Sequence, residues 1–376
     1  MISRILSDSI EQNLALGRVV VIYGARQVGK TTLIKKLAHD LNINTVWWNG
    51  DAPDLRLNLP KANSTVLLTM IGEAELLIID EAQRIENIGL ILKQIIDSRP
   101  SLKIIATGSS SFDLANKINE PLTGRKWEFM MFALSTEELI QHSSQYEEQS
   151  LLHHRLIYGL YPEVVTKPGN EERILSELAN DYLYKDILTW ERISKPDRLE
   201  RLVQAIAFQI GNQVSYHELG QISGLDFHTV ERYINILEKA FVIFRLSPFS
   251  RNLRNEIKKS RKIYFYDNGI RNAVINQFQT ATLRNDIGQL WENFLVSERM
   301  KKQSYAQIKY NKYFWRTQSG QEIDYIEERN AEILAFEFKW NPDKQVKFPS
   351  RFINTYQPKN SVTINPSNYM NFISEK

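Results

Sequence analysis

The chain has 376 residues, of which 43% are hydrophobic, and this length favours two or three domains with separate cores. Its 47 basic and 44 acidic residues give a formal net charge of +3, so bulk charge argues neither for nor against a nucleic-acid partner, and any basic surface must be local. The sequence contains no cysteine, which excludes disulfide bonds and thiolate metal sites and fits a reducing compartment.

The N-terminal segment predicts no targeting signal. Residues 1–16 include Arg4, Asp8 and Glu11 and lack the continuous apolar core of a signal peptide. No stretch of the sequence approaches the length of a transmembrane helix. We therefore expect a cytoplasmic protein with no membrane partner.

A glycine-bounded motif lies between a short apolar run at 19–23 and a helical pattern over 30–41. Its glycines let backbone N–H groups wrap phosphates, Lys30 reaches the β- and γ-phosphates of a nucleotide, and the Thr31 hydroxyl coordinates Mg²⁺. The sequence therefore predicts a P-loop that binds ATP and Mg²⁺ at a helix N-terminus; the alternative is a glycine turn without a ligand. The predicted cofactor-binding residues are Gly24, Ala25, Arg26, Gln27, Val28, Gly29, Lys30, Thr31 and Thr32.

A second motif follows the apolar run Leu76-Leu77-Ile78-Ile79, which is typical of a strand buried on both faces. This run ends in Asp80 and Glu81, as in a Walker B motif. We expect Asp80 to hold Mg²⁺ and Glu81 to orient and deprotonate the attacking water. The alternative is an acidic turn after a buried strand.

A third predicted strand, 102–107, leads into a Gly-Ser cluster. Thr107 and Ser109 are candidates for contacting the γ-phosphate or the lytic water, although such clusters are also ordinary turns. Arg125 precedes another apolar strand at 129–132 and is a candidate arginine finger acting on the nucleotide of a neighbouring subunit, which would require a homo-oligomer. The alternative is a solvated surface arginine.

These motifs together resemble a group of prokaryotic AAA-type ATPases. The group reads Gly-x-Arg-Gln-x-Gly-Lys-Thr, then Asp-Glu-x-Gln, then Thr-Gly-Ser-Ser, then Gly-Arg, and here these are 24–31, 80–83, 107–110 and 124–125. The match continues through 159–163, with Leu160 where the group usually has a second glycine, and through 181–187. The resemblance implies a nucleotide domain fused to a C-terminal domain of poorly defined function.

The middle of the chain reads as helical. Residues 151–189 resemble the small lid of an AAA core, in which Arg155 and Arg173 qualify equally as a second basic sensor. Residues 198–250 follow the order of a winged helix-turn-helix, with a helix beginning at 214–219, an amphipathic helix over 229–240 and a wing strand at 241–246.

This winged helix-turn-helix is a candidate nucleic-acid contact. Its predicted recognition helix carries Thr229, Arg232 and Tyr233, but Glu231 and Glu238 reduce its charge, so packing against a protein is an equal alternative. The following stretch is basic and predicts either contact with a DNA or RNA backbone or an exposed linker. Its basic residues are Arg245, Arg251, Arg254, Lys258, Lys259, Arg261 and Lys262.

The C-terminal region predicts three strands, 312–317, 322–326 and 333–339. Glu337 and Lys339 share a face of an otherwise apolar strand, Asp324 lies one hairpin earlier, and a helix opened by residue 291 adds Glu292. The set resembles a restriction-endonuclease-like site, which implies Mg²⁺ on Asp324 and Glu337 and a water activated by Lys339. The alternative is a buried ion-pair cluster in a degenerate nuclease fold.

The sequence therefore predicts an α/β fold with a P-loop NTPase parallel sheet and a helical lid, a winged helix-turn-helix, and a small α/β restriction-endonuclease-like domain. The predicted boundaries are 1–149, 150–197, 198–250 and 251–376. We expect Mg²⁺-dependent ATP hydrolysis to drive a conformational switch that acts on nucleic acid. The alternatives are an ATP-controlled metal-dependent nuclease and a signalling ATPase that binds a protein partner.

Overall fold

The structure is a computed structural model that describes residues 2–14, 17–109, 118–181, 195–250, 261–344 and 346–374. The chain divides into two compact units. The first comprises residues 1–133 with 239–241, and the second comprises 134–238 with 242–376.

The first unit is built on a five-stranded parallel sheet in the order β2-β3-β4-β1-β5. The central strands β1 and β3 are buried along their whole length, as expected for a parallel sheet covered on both faces. The predicted α/β class is thereby confirmed. The strands are β1 (Val19–Tyr23), β2 (Thr45–Asn49), β3 (Leu76–Asp80), β4 (Lys103–Gly108) and β5 (Lys126–Met130).

Helices connect these strands. The helix after the P-loop begins at Lys30 behind Gly29, whose φ of +98° lies in the left-handed region that glycine adopts without strain. Its buried face is Leu33, Ile34 and Leu37, at the spacing of an amphipathic helix. The helices of this unit are α1 (Leu6–Gln12), α2 (Lys30–Leu41), α3 (Pro53–Asn58), α4 (Ser64–Ile71) and α5 (Ile88–Ser98).

The second unit begins with helices and then alternates helices with strands. The helices are α6 (Thr136–His142), α7 (Gln145–Ser150), α8 (Leu152–Tyr158), α9 (Pro162–Thr166), α10 (Glu171–Leu178), α11 (Pro196–Phe208), α12 (Tyr216–Ser223), α13 (Phe227–Lys239), α14 (Asn268–Val274), α15 (Ile287–Tyr305), α16 (Ser350–Tyr356) and α17 (Tyr369–Ile373). The strands are β6 (Gln213–Val214), β7 (Ile243–Pro248), β8 (Arg261–Phe265), β9 (Asn311–Arg316), β10 (Glu322–Arg329), β11 (Glu332–Phe338) and β12 (Asn360–Ile364).

These strands form one seven-stranded mixed sheet in the order β12-β11-β10-β9-β7-β8-β6. The predicted wing strand, 241–246, corresponds to β7, which pairs antiparallel with β8 and joins the C-terminal strands because it runs parallel to β9 at Ser247 and Pro248. Strand β10 pairs antiparallel with both β9 and β11, and its register with β9 shifts between Ile323 and Ile326, a segment that contains Asp324.

Several local predictions differ from the structure; among them, the strand predicted at 129–132 is β5, which runs from Lys126 to Met130. The helix predicted over 214–219 begins at Tyr216, because Val214 pairs with Arg261 in the short strand β6. The helix that carries Glu292 begins at Ile287, one turn before Trp291. The turn predicted at 328–331 is confined to Asn330 and Ala331, whose positive φ angles of 52° and 65° suit a two-residue hairpin turn.

The buried carboxylate of Asp267 forms hydrogen bonds both with the segment after α8 and with the start of α14. Asp267 accepts hydrogen bonds from the backbone N–H groups of Leu160 at 2.7 Å and of Gly269 at 2.8 Å. A Cβ atom at Gly159 would lie 2.0 Å from the Asp267 carboxylate, so glycine is required at this position of the 159–163 motif. Burial raises the pKa of Asp267, while Lys301 and these N–H groups act in the opposite direction.

The two sensor candidates of the predicted lid are engaged in ion pairs. The guanidinium of Arg155 is buried and donates two hydrogen bonds to Glu148, at 2.9 and 2.7 Å. Arg173 pairs with Glu177 one turn away on the exposed side of α10. Breaking the buried pair would leave an uncompensated charge, so Arg155 has a structural role.

Among the residues described here, no helix is both long enough and apolar enough to cross a membrane.

Candidate functional site

The P-loop lies between β1 and α2, at the carboxyl edge of the parallel sheet. Its first glycine is required by close packing, since a Cβ atom at Gly24 would lie 2.1 Å from the carbonyl oxygen of Met131. Gln27 has a positive φ of 58°, Val28 is buried, and Thr32 is exposed on the first turn of α2. The loop leads directly into the first turn of α2, and a helix N-terminus is suited to binding an anion.

Lys30 is buried at the base of this loop. Its ammonium group donates hydrogen bonds to the carbonyl oxygens of Gly24 at 2.9 Å and Ala25 at 2.8 Å. Burial lowers the pKa of Lys30 to about 8, although the carboxylates of Glu81 and Asp80 act in the opposite direction. An anionic ligand would therefore favour the charged form of this side chain.

Asp80 is held between two threonine hydroxyls at the end of β3. Thr31 donates to one carboxylate oxygen at 2.8 Å, and Thr107 donates to the other at 2.5 Å. Thr107, a candidate contact for the γ-phosphate, thus orients Asp80 and also accepts a hydrogen bond from the Glu81 backbone N–H at 3.1 Å. The hydroxyl of Thr31 and the carboxylate of Asp80 supply the hard oxygen ligands that Mg²⁺ prefers, so the residues present fit this ion.

Glu81 has an unusual backbone and a fixed side chain. Its φ of 50° places it in the left-handed region, which is uncommon for a residue other than glycine. One carboxylate oxygen accepts hydrogen bonds from Gln83 at 2.6 Å and from Ser109 at 3.0 Å. Ser109 in turn accepts a hydrogen bond from Gln83 at 3.0 Å. Ser109 was predicted from the sequence as a site residue, but the contact of Gln83 with Glu81 was not. The position of Gln83 two residues after Glu81 could have indicated this contact.

Arg4 was also missed as a site residue. Its guanidinium donates a 2.7 Å hydrogen bond to the carbonyl oxygen of Val28, inside the P-loop, and another of 2.7 Å to that of Phe132. Arg4 precedes Val28 by 24 residues and Phe132 by 128, so the two carbonyls belong to segments more than a hundred residues apart. No local pattern in the sequence marks such a bridge.

Arg125 lies at the opposite edge of the same sheet from the P-loop. Its carbonyl oxygen accepts a hydrogen bond from Val19, the first residue of β1, whereas the P-loop follows the last residue of that strand. A parallel strand advances about 3.3 Å per residue, so β1 separates Arg125 from the P-loop of its own subunit by about 13 Å. The guanidinium forms an exposed ion pair with Asp97.

The second unit brings the predicted C-terminal residues together. Lys339 pairs with Glu337 at 2.7 Å and with Asp324 at 3.4 Å. Lys262 of β8 pairs with Glu292 of α15 at 2.9 Å. We call this group the carboxylate cluster; its members are Lys262, Tyr264, Glu292, Glu322, Asp324, Glu337 and Lys339.

Burial raises the pKa values of two carboxyl groups in this cluster. It raises the pKa of Glu337 to about 7, helped by the neighbouring Asp324 and opposed by Lys339. It raises the pKa of Glu292 to about 7 as well, where Lys262 opposes the shift. The Lys262 ammonium, although buried, has a raised pKa because three carboxylates surround it.

The carboxylate cluster does not fit a divalent metal. Across the described ranges, no three acidic or histidine side chains converge in an arrangement that could hold a metal ion. The oxygens of Asp324 face Lys262, Lys339 and the backbone N–H of Phe338, which donates at 2.8 Å. The predicted metal ligands Asp324 and Glu337 are therefore neutralised by lysine, and Glu322 and Tyr264 are additional partners that sequence reasoning missed.

The predicted nucleic-acid surface is only partly exposed. On α13, Tyr233 belongs to the core and Thr229 donates to Asp226 at 2.6 Å, while Arg232 is exposed. The basic stretch that follows is engaged at both ends: Arg245 donates to Glu238, Asn235 and Tyr216, and Lys262 is buried in the carboxylate cluster. Residues 251–260, which hold Arg251, Arg254, Lys258 and Lys259, lie outside the described residues, as do Ser110, Ser111 and 182–194.

Three family models match consecutive parts of the chain. Residues 17–140 match an AAA domain, which contains the P-loop, Asp80 and Glu81. Residues 149–281 and 287–374 match two domains of unknown function, DUF8612 and DUF4143. The carboxylate cluster spans these two, since Lys262 lies in the first and its partners in the second.

Similar proteins extend over most of the chain. The uncharacterized protein Rv2008c of Mycobacterium tuberculosis is 26% identical, with 85% of this chain and 70% of that protein covered. An uncharacterized protein of Haemophilus influenzae is 24% identical, with 86% and 84% covered. Among solved structures, the Walker-type ATPase PABY2304 of Pyrococcus abyssi is 14% identical with a TM-score of 0.48, covering 72% of this chain and 94% of that one. The RuvB Holliday junction branch migration motor of Thermotoga maritima is 18% identical with a TM-score of 0.33, covering 63% and 89%. Residues 17–140, which hold the P-loop, Asp80 and Glu81, are thus similar to an AAA domain.

Proposed function

We propose that the protein is a Mg²⁺-dependent ATPase whose nucleotide state switches the conformation of its second unit. The observation that carries this proposal is the convergence of Lys30, Thr31, Asp80 and Glu81 at one edge of the parallel sheet. The match of residues 17–140 to an AAA domain supports it.

Each of these side chains has a defined task in this proposal. Lys30 binds the β- and γ-phosphates, and Thr31 with Asp80 holds Mg²⁺, which when bound neutralises charge on the phosphate oxygens. Glu81 accepts a proton from the attacking water. Gln83 and Ser109 keep the Glu81 carboxylate in one orientation, and Thr107 does the same for Asp80.

The direct test is phosphate release from ATP by the purified full-length chain, with Mg²⁺ and with excess chelator. We expect turnover that requires Mg²⁺ and that the Glu81 and Lys30 variants discussed below lose. If turnover persists undiminished in the Lys30 variant, the hydrolysis does not come from this P-loop, and the assignment of ATPase activity to it is wrong.

Arg4→Ala is expected to weaken ATP binding by about tenfold or more, because hydrogen bonds from charged groups contribute about 1.5–3 kcal/mol each. The guanidinium fixes the Val28 carbonyl and thereby the shape of the P-loop. Binding of a fluorescent ATP analogue measures the effect. Arg56→Ala, which removes an exposed arginine of α3, is the matched control. Equal affinity in the Arg4 variant and the wild type would contradict this role.

We also propose that Arg125 acts on the nucleotide of a neighbouring subunit in a homo-oligomer. The supporting observation is its position, because β1 separates it from its own P-loop and its side chain is exposed beside Asp97. Light scattering with and without a non-hydrolysable ATP analogue tests the assembly.

Arg125→Ala is expected to lower turnover by about 10³-fold or more if it is an arginine finger. Mixing it with Lys30→Ala subunits should restore turnover, because each variant supplies the group that the other lacks. The ATPase rate of the mixture, compared with that of each variant alone, is the measurement. Wild-type turnover by Arg125→Ala alone would identify a surface arginine.

The switch is proposed to act on nucleic acid through the region 198–250. Its order of elements, α11-β6-α12-α13-β7, followed by β8 beyond residue 260, is that of a winged helix-turn-helix, and Arg232 is exposed on α13. Anisotropy of labelled duplex and single-stranded DNA and of RNA, titrated with protein in both nucleotide states, tests this proposal. We expect salt-dependent binding that Arg232→Ala weakens and that Arg173→Ala, a change at an exposed arginine of α10, leaves intact. No binding at low salt would favour the protein-partner alternative.

A further inference from the structure

The carboxylate cluster has a cation at its centre, and the cation is part of the chain. The ammonium group of Lys262 lies 2.6 Å from Glu322, 2.9 Å from Glu292 and 3.9 Å from Asp324. These carboxylates come from β10 and α15, so elements distant in the sequence converge on one nitrogen. Lys262 is 2% exposed, and water therefore contributes little to its solvation.

Lys339, the Phe338 backbone N–H and Tyr264 engage further oxygens of the cluster. Glu337 and Asp324 share Lys339, and the Asp324 oxygen that faces Lys339 also accepts the Phe338 backbone N–H at 2.8 Å. The Glu292 oxygen that binds Lys262 also accepts a hydrogen bond from Tyr264 at 2.7 Å. A divalent ion entering here would have to displace an ammonium group from carboxylates whose charge that ammonium group already neutralises.

The carboxylates around Lys262 stabilise its buried ammonium group, and the ammonium group in turn reduces the repulsion between them. A buried ammonium group is costly unless close carboxylates and hydrogen bonds replace its hydration, and Lys262 has carboxylates on several sides. Without that charge the same carboxylates would repel one another across a few ångströms of protein. A cluster of this kind needs a cation for its own stability, and the chain supplies it from β8.

We infer that the Lys262 ammonium group occupies the place of a divalent cation in the carboxylate cluster, so that the C-terminal part of the chain functions without a metal ion. The cluster then contributes to structure or to binding, and the second unit does not cleave nucleic acid by metal-dependent hydrolysis. This inference concerns the second unit alone and stands whether or not the P-loop hydrolyses ATP.

The test uses Mn²⁺ as the probe on the full-length protein without nucleotide, with bound Mn²⁺ counted from the loss of the free-ion signal in electron paramagnetic resonance. Wild type and Asp324→Asn are expected to bind Mn²⁺ equally, since any ion held by the P-loop region is common to both. Lys262→Met is expected to gain a site at least about tenfold tighter than any in the wild type, because unpaired carboxylates are the ligands that hard cations prefer. The double variant Lys262→Met with Asp324→Asn should lose that gain.

The matched control is Lys359→Met, which removes one partner of an exposed lysine–carboxylate pair with Glu332. It should gain no Mn²⁺ site, and Mn²⁺ should raise the melting temperature of Lys262→Met but not that of the control. A Mn²⁺ ion in the wild type that Asp324→Asn removes would overturn the inference, as would plasmid nicking in Mg²⁺ that depends on Asp324. If Lys262→Met does not fold, the comparison of wild type with Asp324→Asn still decides the question.

Discussion

Replacing Glu81 with glutamine is expected to lower ATP turnover by about 10²- to 10⁴-fold while ATP binding persists. The amide keeps the size of the side chain and can still accept hydrogen bonds from Gln83 and Ser109, but it cannot take a proton from water. The contacts proposed for Lys30 and Thr31 with the nucleotide do not involve this side chain. Single-turnover phosphate release and equilibrium ATP binding, measured side by side, separate the two effects.

The control for this variant is Glu86→Gln, the same chemical change at an exposed position in the loop that follows. It should hydrolyse ATP at the wild-type rate. If Glu81→Gln does so too, Glu81 is not the general base, and its left-handed backbone and fixed side chain serve the structure of the loop instead.

Lys30→Ala is expected to weaken ATP binding by about a hundredfold or more and to abolish measurable turnover, because its ammonium group is the buried cation at the base of the P-loop and each hydrogen bond from a charged group contributes about 1.5–3 kcal/mol. Isothermal calorimetry with ATP and Mg²⁺ measures the loss.

Lys36→Ala is the matched control for this change, since Lys36 lies on the same helix with its side chain exposed. A melting curve of each variant shows whether α2 is intact. An unchanged ATP affinity in a folded Lys30→Ala protein would contradict the assignment of residues 24–31 as the nucleotide site.

Local sequence patterns were sufficient to predict the parallel sheet and the edge at which the candidate site lies. The apolar runs at β1 and β3 indicated strands buried on both faces, and the glycine-rich motif and the acidic pair each follow such a strand directly. Parallel strands present their carboxyl ends at one edge, so the order along the chain was enough to expect Lys30 and Asp80 near each other.

Contacts between distant segments could not be predicted in the same way. Arg4 contacts a carbonyl in the P-loop and another after β5, and nothing in its neighbours marks either partner. Lys262 was assigned to an exposed basic stretch because it follows several other lysine and arginine residues in the sequence. Its setting in the apolar run Lys262-Ile263-Tyr264-Phe265 was the signal that it is buried, the same reasoning that identified Glu337.

The pairing of β7 with β9 means that residues 198–250 and the C-terminal strands are not separable pieces. A fragment beginning after β8 would leave β9 as an edge strand with unpaired N–H and C=O groups, and would also remove Lys262 from its carboxylates. Such a fragment would have an exposed strand edge that is prone to aggregation. It would also contain buried carboxylates without the ammonium group that neutralises them. Expression trials aimed at the C-terminal region should therefore start upstream of α11, so that the whole sheet and its internal cation are kept together.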